Sequence, residues 1–185
     1  MRVLALQGSP RPSGNTKTLL SALLKPLCDH HEVHEFHVAG CKLMPCLSCY
    51  QCQGEARCAQ EDDMHTLYPL LAESDLVILA SPIYFYGVSA QLKSVIDRCQ
   101  YFWTNPARRR SNRAGVLVLT AGAPDHRGQG VATTEAACKM FLHCLGAPLL
   151  HTLTATHTDQ HPVTSESEAF RAALTLGAVL AKNHK

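Results

Sequence analysis

The sequence predicts an α/β protein: a three-layer α/β/α doubly wound sandwich around a five-stranded parallel sheet in the order 2-1-3-4-5. Three observations carry that prediction. Short apolar runs alternate with longer stretches whose apolar residues recur at helical spacing. Two of the runs, residues 75–81 and 114–120, are almost continuously apolar, as expected of parallel strands covered on both faces. The right-handed rule for crossovers between parallel strands then leaves few ways to wind the alternation.

Residues 2–8 read as the first strand. Residues 16–28 place Leu19, Leu20, Leu23, Leu24 and Leu27 on one face of a helix. Residues 31–39 make a weaker second strand. A cysteine-rich insertion at about 41–62 follows, and residues 63–73 then suit a helix opened by acidic residues, with Met64, Leu67, Leu70 and Leu71 on one side. The strand at 75–81 leads to a helix over 88–102, and the strand at 114–120 to a helix over 131–145. A last strand over 148–154 precedes a C-terminal helix over 164–183. No repeat, low-complexity tract or linker divides the chain. Its 185 residues are therefore read as one domain, 1–185, large enough to bury a core without disulfide support.

Composition removes several functional classes. Seventeen Lys and Arg against 15 Asp and Glu give no global reason to invoke nucleic acid or membrane. No stretch approaches the roughly 18 apolar residues of a membrane span. The apolar start is too short for a signal peptide and is broken at once by Ser9-Pro10-Arg11-Pro12, so a cytoplasmic protein is expected. Nine cysteines without an export signal argue for metal binding or reduced thiols rather than a disulfide framework. Cys28, Cys99, Cys138 and Cys144 fall in expected helices as small buried hydrophobes. Arg108, Arg109 and Arg110, like His30, His31, His34 and His37, read as solvated surface.

In open α/β sheets, ligands bind outside the carboxyl ends of the strands, near the point where strand order reverses. The loops at 9–15, 82–87 and 121–130 are expected on that edge, with the cysteine loop leaving from the same side. In Gly8-Ser9-Pro10-Arg11-Pro12-Ser13-Gly14-Asn15-Thr16, a strand passes through a turn into a helix, where free amides and the positive helix end attract an anion. Ser9, Ser13, Asn15 and Thr16 add hydrogen-bonding groups, and Arg11 adds charge. The segment is neither a Walker loop nor G-x-G-x-x-G, and a monophosphate such as that of FMN suits it better than a di- or triphosphate. A plain helix-capping turn would use the same residue types. In Ser81-Pro82-Ile83-Tyr84-Phe85-Tyr86-Gly87, Pro82 ends the strand, Gly87 permits close backbone approach, and Tyr84 and Tyr86 can lie against a flat heteroaromatic ring.

Cys46, Cys49, Cys52 and Cys58 follow the spacing C-x2-C-x2-C-x5-C, which places four thiols on one short loop. Three cysteines at three-residue intervals and a fourth beyond them can ligate a [4Fe–4S] cubane, as in bacterial ferredoxin runs. Zinc is a second reading, although structural zinc sites usually separate their ligands into two hooks. Unmetallated thiols are a third, and Cys41 lies near enough to substitute as a ligand.

The set Gly8-Ser9-Pro10-Arg11, Gly14-Asn15-Thr16, Ser81-Pro82-Ile83-Tyr84, Ser89-Ala90-Gln91-Leu92-Lys93 and Ile96-Asp97-Arg98, in that order, resembles the NAD(P)H-dependent FMN reductase family of flavodoxin-like proteins. The cysteine run is similar to that of the family's iron–sulfur flavoprotein branch. The resemblance covers most of residues 1–125. It implies FMN as cofactor, commonly homodimers, and electron transfer through FMN from a reduced donor such as NAD(P)H; a homodimer or homotetramer and a small-molecule or protein acceptor are expected, with a ferredoxin-like protein as the partner of a carrier. By position it assigns Ser9, Arg11, Ser13, Asn15 and Thr16 to the phosphate and Pro82, Ile83, Tyr84, Tyr86 and Gly87 to the ring. Where the typical ring loop reads Tyr-Phe-Gly, this chain has Tyr84-Phe85-Tyr86-Gly87. The expected activity is an FMN-dependent oxidoreductase; the alternatives are a non-catalytic electron carrier and a thiol redox sensor. No side chain is required as a general acid or base, so no catalytic residue is named.

Overall fold

The computed structural model describes residues 1–55 and 57–183; positions 56, 184 and 185 of the expected domain lie outside the described residues. Five strands, β1 (Arg2–Gln7), β2 (Glu32–His37), β3 (Leu76–Pro82), β4 (Ala114–Thr120) and β5 (Leu149–Ala155), form one sheet in the order β2-β1-β3-β4-β5 with every pair parallel. This is the topology that the alternation of elements predicts.

Strand periodicity sorts the core into two layers, because successive side chains leave a strand on opposite faces. Leu4, Leu6, Val77, Leu79, Leu117 and Leu119 meet α3 (Met64–Glu73), α4 (Ala90–Arg98), α5 (Gln100–Trp103) and α6 (Gln129–Cys144). Val3, Ala5, Leu76, Ile78, Val116 and Val118 meet α1 (Asn15–Cys28) and α7 (Glu168–Asn183). Each fully buried aliphatic side chain in these layers contributes about 1.5–3 kcal/mol. Helices α1 and α7 approach so closely that a Cβ on Gly177 would collide with the Leu23 carbonyl oxygen.

Where the structure departs from the sequence reading, a local contact explains the departure. The helix expected over 88–102 begins later because the buried Ser89 hydroxyl accepts the Leu92 amide as an N-cap. It breaks at Cys99 (φ −76°, ψ 11°), and the bend brings Phe102 into the core and stacks Tyr101 on Tyr68 at 4.7 Å. Cys99, Cys138 and Cys144 are buried as expected, but Cys28 is exposed. The arginine run is partly pinned: Arg108 lies 4.2 Å over the Tyr101 ring, while Arg110 is exposed and pairs with Asp75 at 3.0 Å. Among the described residues, no helix is long and apolar enough to cross a membrane.

Candidate functional site

The carboxyl edge of the sheet is assembled around Gly8. Its amide donates to the Ala80 carbonyl at 2.7 Å, and a Cβ here would stand 2.8 Å from the Leu92 Cβ. Glycine is therefore required by the close approach of α4. The Ser89 hydroxyl, besides capping α4, donates to the Gly8 carbonyl at 2.5 Å, while the Ser81 hydroxyl accepts the Ser89 amide at 3.0 Å. Two fully buried serines thus clip the first loop to the second.

In the first loop, Ser9 is buried and its hydroxyl accepts the Arg11 amide at 3.2 Å, forming a tight polar turn. The Gln7 side-chain amide donates to the Arg11 carbonyl at 3.1 Å, and His37 reaches the Ser9 carbonyl at 3.1 Å. Arg11 and Ser13 are exposed. Helix α1 opens at Asn15, and its first backbone bond runs from Thr18 to the Gly14 carbonyl at 2.8 Å. The amides of Asn15, Thr16 and Lys17 thus precede any intrahelical partner and carry the positive end of the helix. Two assigned side chains are engaged within the protein. The Thr16 hydroxyl is hydrogen bonded to that of Thr120 at 2.6 Å in a buried pair, and Asn15 accepts the Val163 amide at 2.9 Å while donating to the Thr158 carbonyl at 3.4 Å. From these two positions the backbone amides, not the side chains, are left for an anion.

The second loop continues the sheet one step, with the Ile83 amide donating to Thr120 at 2.7 Å. It then folds into a two-residue turn in which Tyr84 and Gly87 exchange backbone hydrogen bonds of 2.9 and 3.0 Å. Phe85 (φ 49°) and Tyr86 (φ 62°) occupy the two left-handed positions that asparagine and glycine usually fill. Gly87 has no such angle, and a Cβ there would meet its nearest neighbour at 3.7 Å, so the chain itself does not demand glycine. The turn presents three aromatic rings to solvent: Tyr84 is 45% exposed, Tyr86 57%, and Phe85 wholly exposed. Two left-handed aromatic residues cost of order 1–3 kcal/mol each, a strain that clusters at ligand-clamping segments.

Two more loops complete the edge. Asp125 accepts the Gly130 and Val131 amides at 3.2 and 2.9 Å, capping α6, and a Cβ on Gly130 would stand 3.3 Å from the Tyr86 ring. The segment after β5 packs on the same edge through the Asp159 amide, which donates to the Gly122 carbonyl at 3.2 Å. The sequence reading did not include that segment. The rule that ligand loops follow strand ends would have pointed to it, since residues 156–163 follow β5.

The cysteine loop leaves β2 on the same edge, as expected, but does not stay there. It runs along α4, and the four cysteines lie toward the far end of that helix. Nine residues separate Ser89 from Arg98, about 13 Å along a helix axis. Cys46, Cys49, Cys52 and Cys58 together line a cavity of about 330 Å³, closed on the protein side by Asp97, Arg98 and Thr104. Cys41 lies outside it, donating to the His37 carbonyl at 3.3 Å. Tyr50 (φ 60°) and Ser48 (φ 51°) are left-handed, and a short helix, α2 (Gln51–Gly54), carries Cys52 where the sequence reading had only loop.

Buried polar groups anchor this loop. Arg98 is 2% exposed; it pairs with Asp62 at 2.6 and 3.0 Å and donates to the Met44 carbonyl at 2.8 Å and the Gln60 carbonyl at 3.4 Å. It thereby ties the segment before Cys46 to the segment after Cys58. Burial alone would raise the Asp62 carboxyl, but the Arg98 guanidinium and the Met44 and Met64 amides hold it below its ordinary value. Asn105 adds a bond to the Cys52 carbonyl at 2.9 Å. Burial pushes the Cys52 thiol up, and the neighbouring Cys58 thiol adds to the shift.

All nine cysteines are free thiols. Among the described residues, no three His, Cys, Asp or Glu side chains converge on a point where one metal ion could sit. A cubane would ask for a different arrangement, because each thiolate there binds a different iron and the four sulfurs stand around a volume.

The sheet order and the loops gathered at its carboxyl edge define a flavodoxin-like α/β protein. Solved structures share that fold. The NAD(P)H:quinone oxidoreductase from Methanothermobacter marburgensis superposes with a TM-score of 0.70 at 16% identity, covering 100% of this chain and 99% of its own. An FMN-dependent NADH-azoreductase from Bacillus anthracis, solved with FMN, superposes at 0.64 and 10% identity, covering 98% of both chains. The chain belongs to the NADPH-dependent FMN reductase family, whose model matches residues 1–159. It is 41% identical to an iron–sulfur flavoprotein of Methanocaldococcus jannaschii over 78% of this chain and 74% of that one. It is 39% identical to one of Archaeoglobus fulgidus over 66% of this chain, a match that spans 56% of the longer relative.

Proposed function

We propose that this protein is an FMN-dependent oxidoreductase that takes electrons from NAD(P)H or a reduced carrier and passes them to a small-molecule or protein acceptor, with the cysteine loop holding a [4Fe–4S] relay. The observation that carries this reading is the family match over residues 1–159, which spans both loops at the carboxyl edge. FMN, when bound, supplies the exchange between electron pairs and single electrons, and the protein supplies placement and electrostatics.

The residues present suit the cofactor. The free amides of Asn15, Thr16 and Lys17, with the exposed Arg11 and Ser13, would hold the phosphate, while Ser9 shapes the turn. Pro82 and Ile83 set the direction of the second loop, and Tyr84, Tyr86 and Gly87 would flank the ring. The positive end of α4, capped by Ser89, lies beside that loop and favours an anionic ring. Gln7 supports the same reading: the residue is 1% exposed at the end of β1, and among the described residues its Oε1 has no partner, an acceptor that a ligand N–H could satisfy.

The relay reading rests on the four thiols that share one cavity and on the iron–sulfur relatives. Binding there would require all four as thiolates, with release of their protons. The test is anaerobic mixing of FMN-loaded protein with NADH and NADPH in parallel. Rapid bleaching of the flavin band by either supports the enzyme. Inertness to both, with reduction by a ferredoxin, would replace it with the carrier.

A further inference from the structure

Arg98 has more donors than its structural role uses. A guanidinium carries five N–H groups in a fixed fork. Its Nη1 serves the Met44 carbonyl and Asp62 Oδ2, and its Nη2 serves Asp62 Oδ1 and the Gln60 carbonyl. Among the described residues, its Nε is buried and has no partner. An unmet donor on a buried cation is costly. Arg98 is among the residues lining the cavity that Cys46, Cys49, Cys52 and Cys58 share. Four thiolates there would be a concentrated negative charge.

We propose that Arg98 is the electrostatic counterpart of the cysteine centre: its Nε–H is held for a sulfur of the bound anionic group, and its charge sets the group's reduction potential. The proposal rests on the relay reading of the cavity. Asp62 is part of the device. It fixes the guanidinium plane through two charge-assisted bonds and offsets part of the positive charge seen by the sulfurs. Adding one electron to the centre adds one negative charge, so a cation and an N–H donor favour the reduced form and raise the potential, while a carboxylate lowers it. Arg98 is a positioning residue for the loop and a tuning residue for the centre, and the two roles separate by experiment.

Anaerobically reconstituted wild type, Arg98→Gln, Arg98→Lys and Asp62→Asn are each assayed for iron, acid-labile sulfide and FMN, and then titrated with dithionite to obtain the midpoint potential of the iron–sulfur signal. The proposal expects Arg98→Gln to lower the potential by at least tenfold in the reduction equilibrium, 59 mV for one electron. It expects Asp62→Asn to raise it. Both substitutions loosen the same loop, so a merely structural role would shift the two variants in the same direction or leave both unchanged, and either result overturns the proposal. If Arg98→Gln loses its FMN as well as its iron, the fold has been damaged; Arg98→Lys, which keeps a cation opposite Asp62, is then the deciding variant and must show a lowered potential. Wild type that keeps FMN but holds no iron would sink the relay reading itself, and this proposal with it. An iron-replete wild type with unmoved variant potentials would sink the proposal alone.

Discussion

The carboxyl edge and the cysteine loop both gather groups toward a ligand, but the fold holds them in opposite ways. At the edge, the loops after β1 and β3 are clipped by Ser89 and Ser81, backed by the sheet and closed by the Thr16–Thr120 pair. Its shape comes from backbone packing, down to the absent Cβ of Gly8. The cysteine loop is anchored chiefly by Arg98, Asp62 and Asn105, and its four cysteines line one cavity. The edge is a preformed surface, whereas the loop is a frame around a cavity. Substitutions at the edge are therefore expected to act through stability and flavin affinity, and those in the loop through metal content.

The sharpest separation comes from the loop cysteines. Serine at Cys52 or Cys58 is expected to remove most of the iron, more than fourfold by metal analysis, with FMN content unchanged. Serine at the exposed Cys28 should leave both unchanged. Loss of flavin together with iron would show that the two regions are one cooperative unit.

Next in size is Gly8→Ala, which forces a methyl group to within 2.8 Å of Leu92 and 3.1 Å of the Ala80 carbonyl. Overpacking of this kind costs about 1–3 kcal/mol. Thermal unfolding should show that loss together with weaker FMN binding, and iron retention should not change. A stable variant with normal FMN affinity would mean that the edge is not preformed as described.

Much of this contrast was legible in the sequence. The continuous apolar runs at β3 and β4 and the leucine face of α1 gave the sheet and its layers, because burial on both faces leaves few residue types to choose from. The cysteine spacing put four thiols on one loop, and those four residues line one cavity. The partners of the loop were not legible, since Arg98 and Asp62 meet across 36 residues through tertiary packing. The break at Cys99 and the engagement of Asn15 with the segment after β5 were hidden for the same reason. The left-handed Phe85-Tyr86 turn contradicts local preference outright, and such contradictions concentrate where a ligand is expected.

A smaller effect is expected at Asp125→Ala. Removing the carboxylate that accepts two amides at the start of α6 should cost about 1 kcal/mol by denaturant unfolding. A null result would place that cap outside the cooperative edge.

A change confined to acid pH concerns the anchor of the cysteine loop. The Asp62 carboxyl is held below its ordinary value of 3.8, so its contribution to stability is fully present above that pH and is lost as pH falls through the lower folded value. The difference in melting temperature between wild type and Asp62→Asn should therefore stay constant from pH 7 to pH 5 and narrow below about pH 4. A constant difference down to pH 2 would show that Arg98 does not depend on the ionised partner.

The most direct test of the whole account is the ratio of iron and acid-labile sulfide to FMN in protein purified without oxygen. The account predicts about four irons and four sulfides for each flavin. Flavin without iron, or one zinc in its place, would contradict it and leave the cysteine loop without a relay.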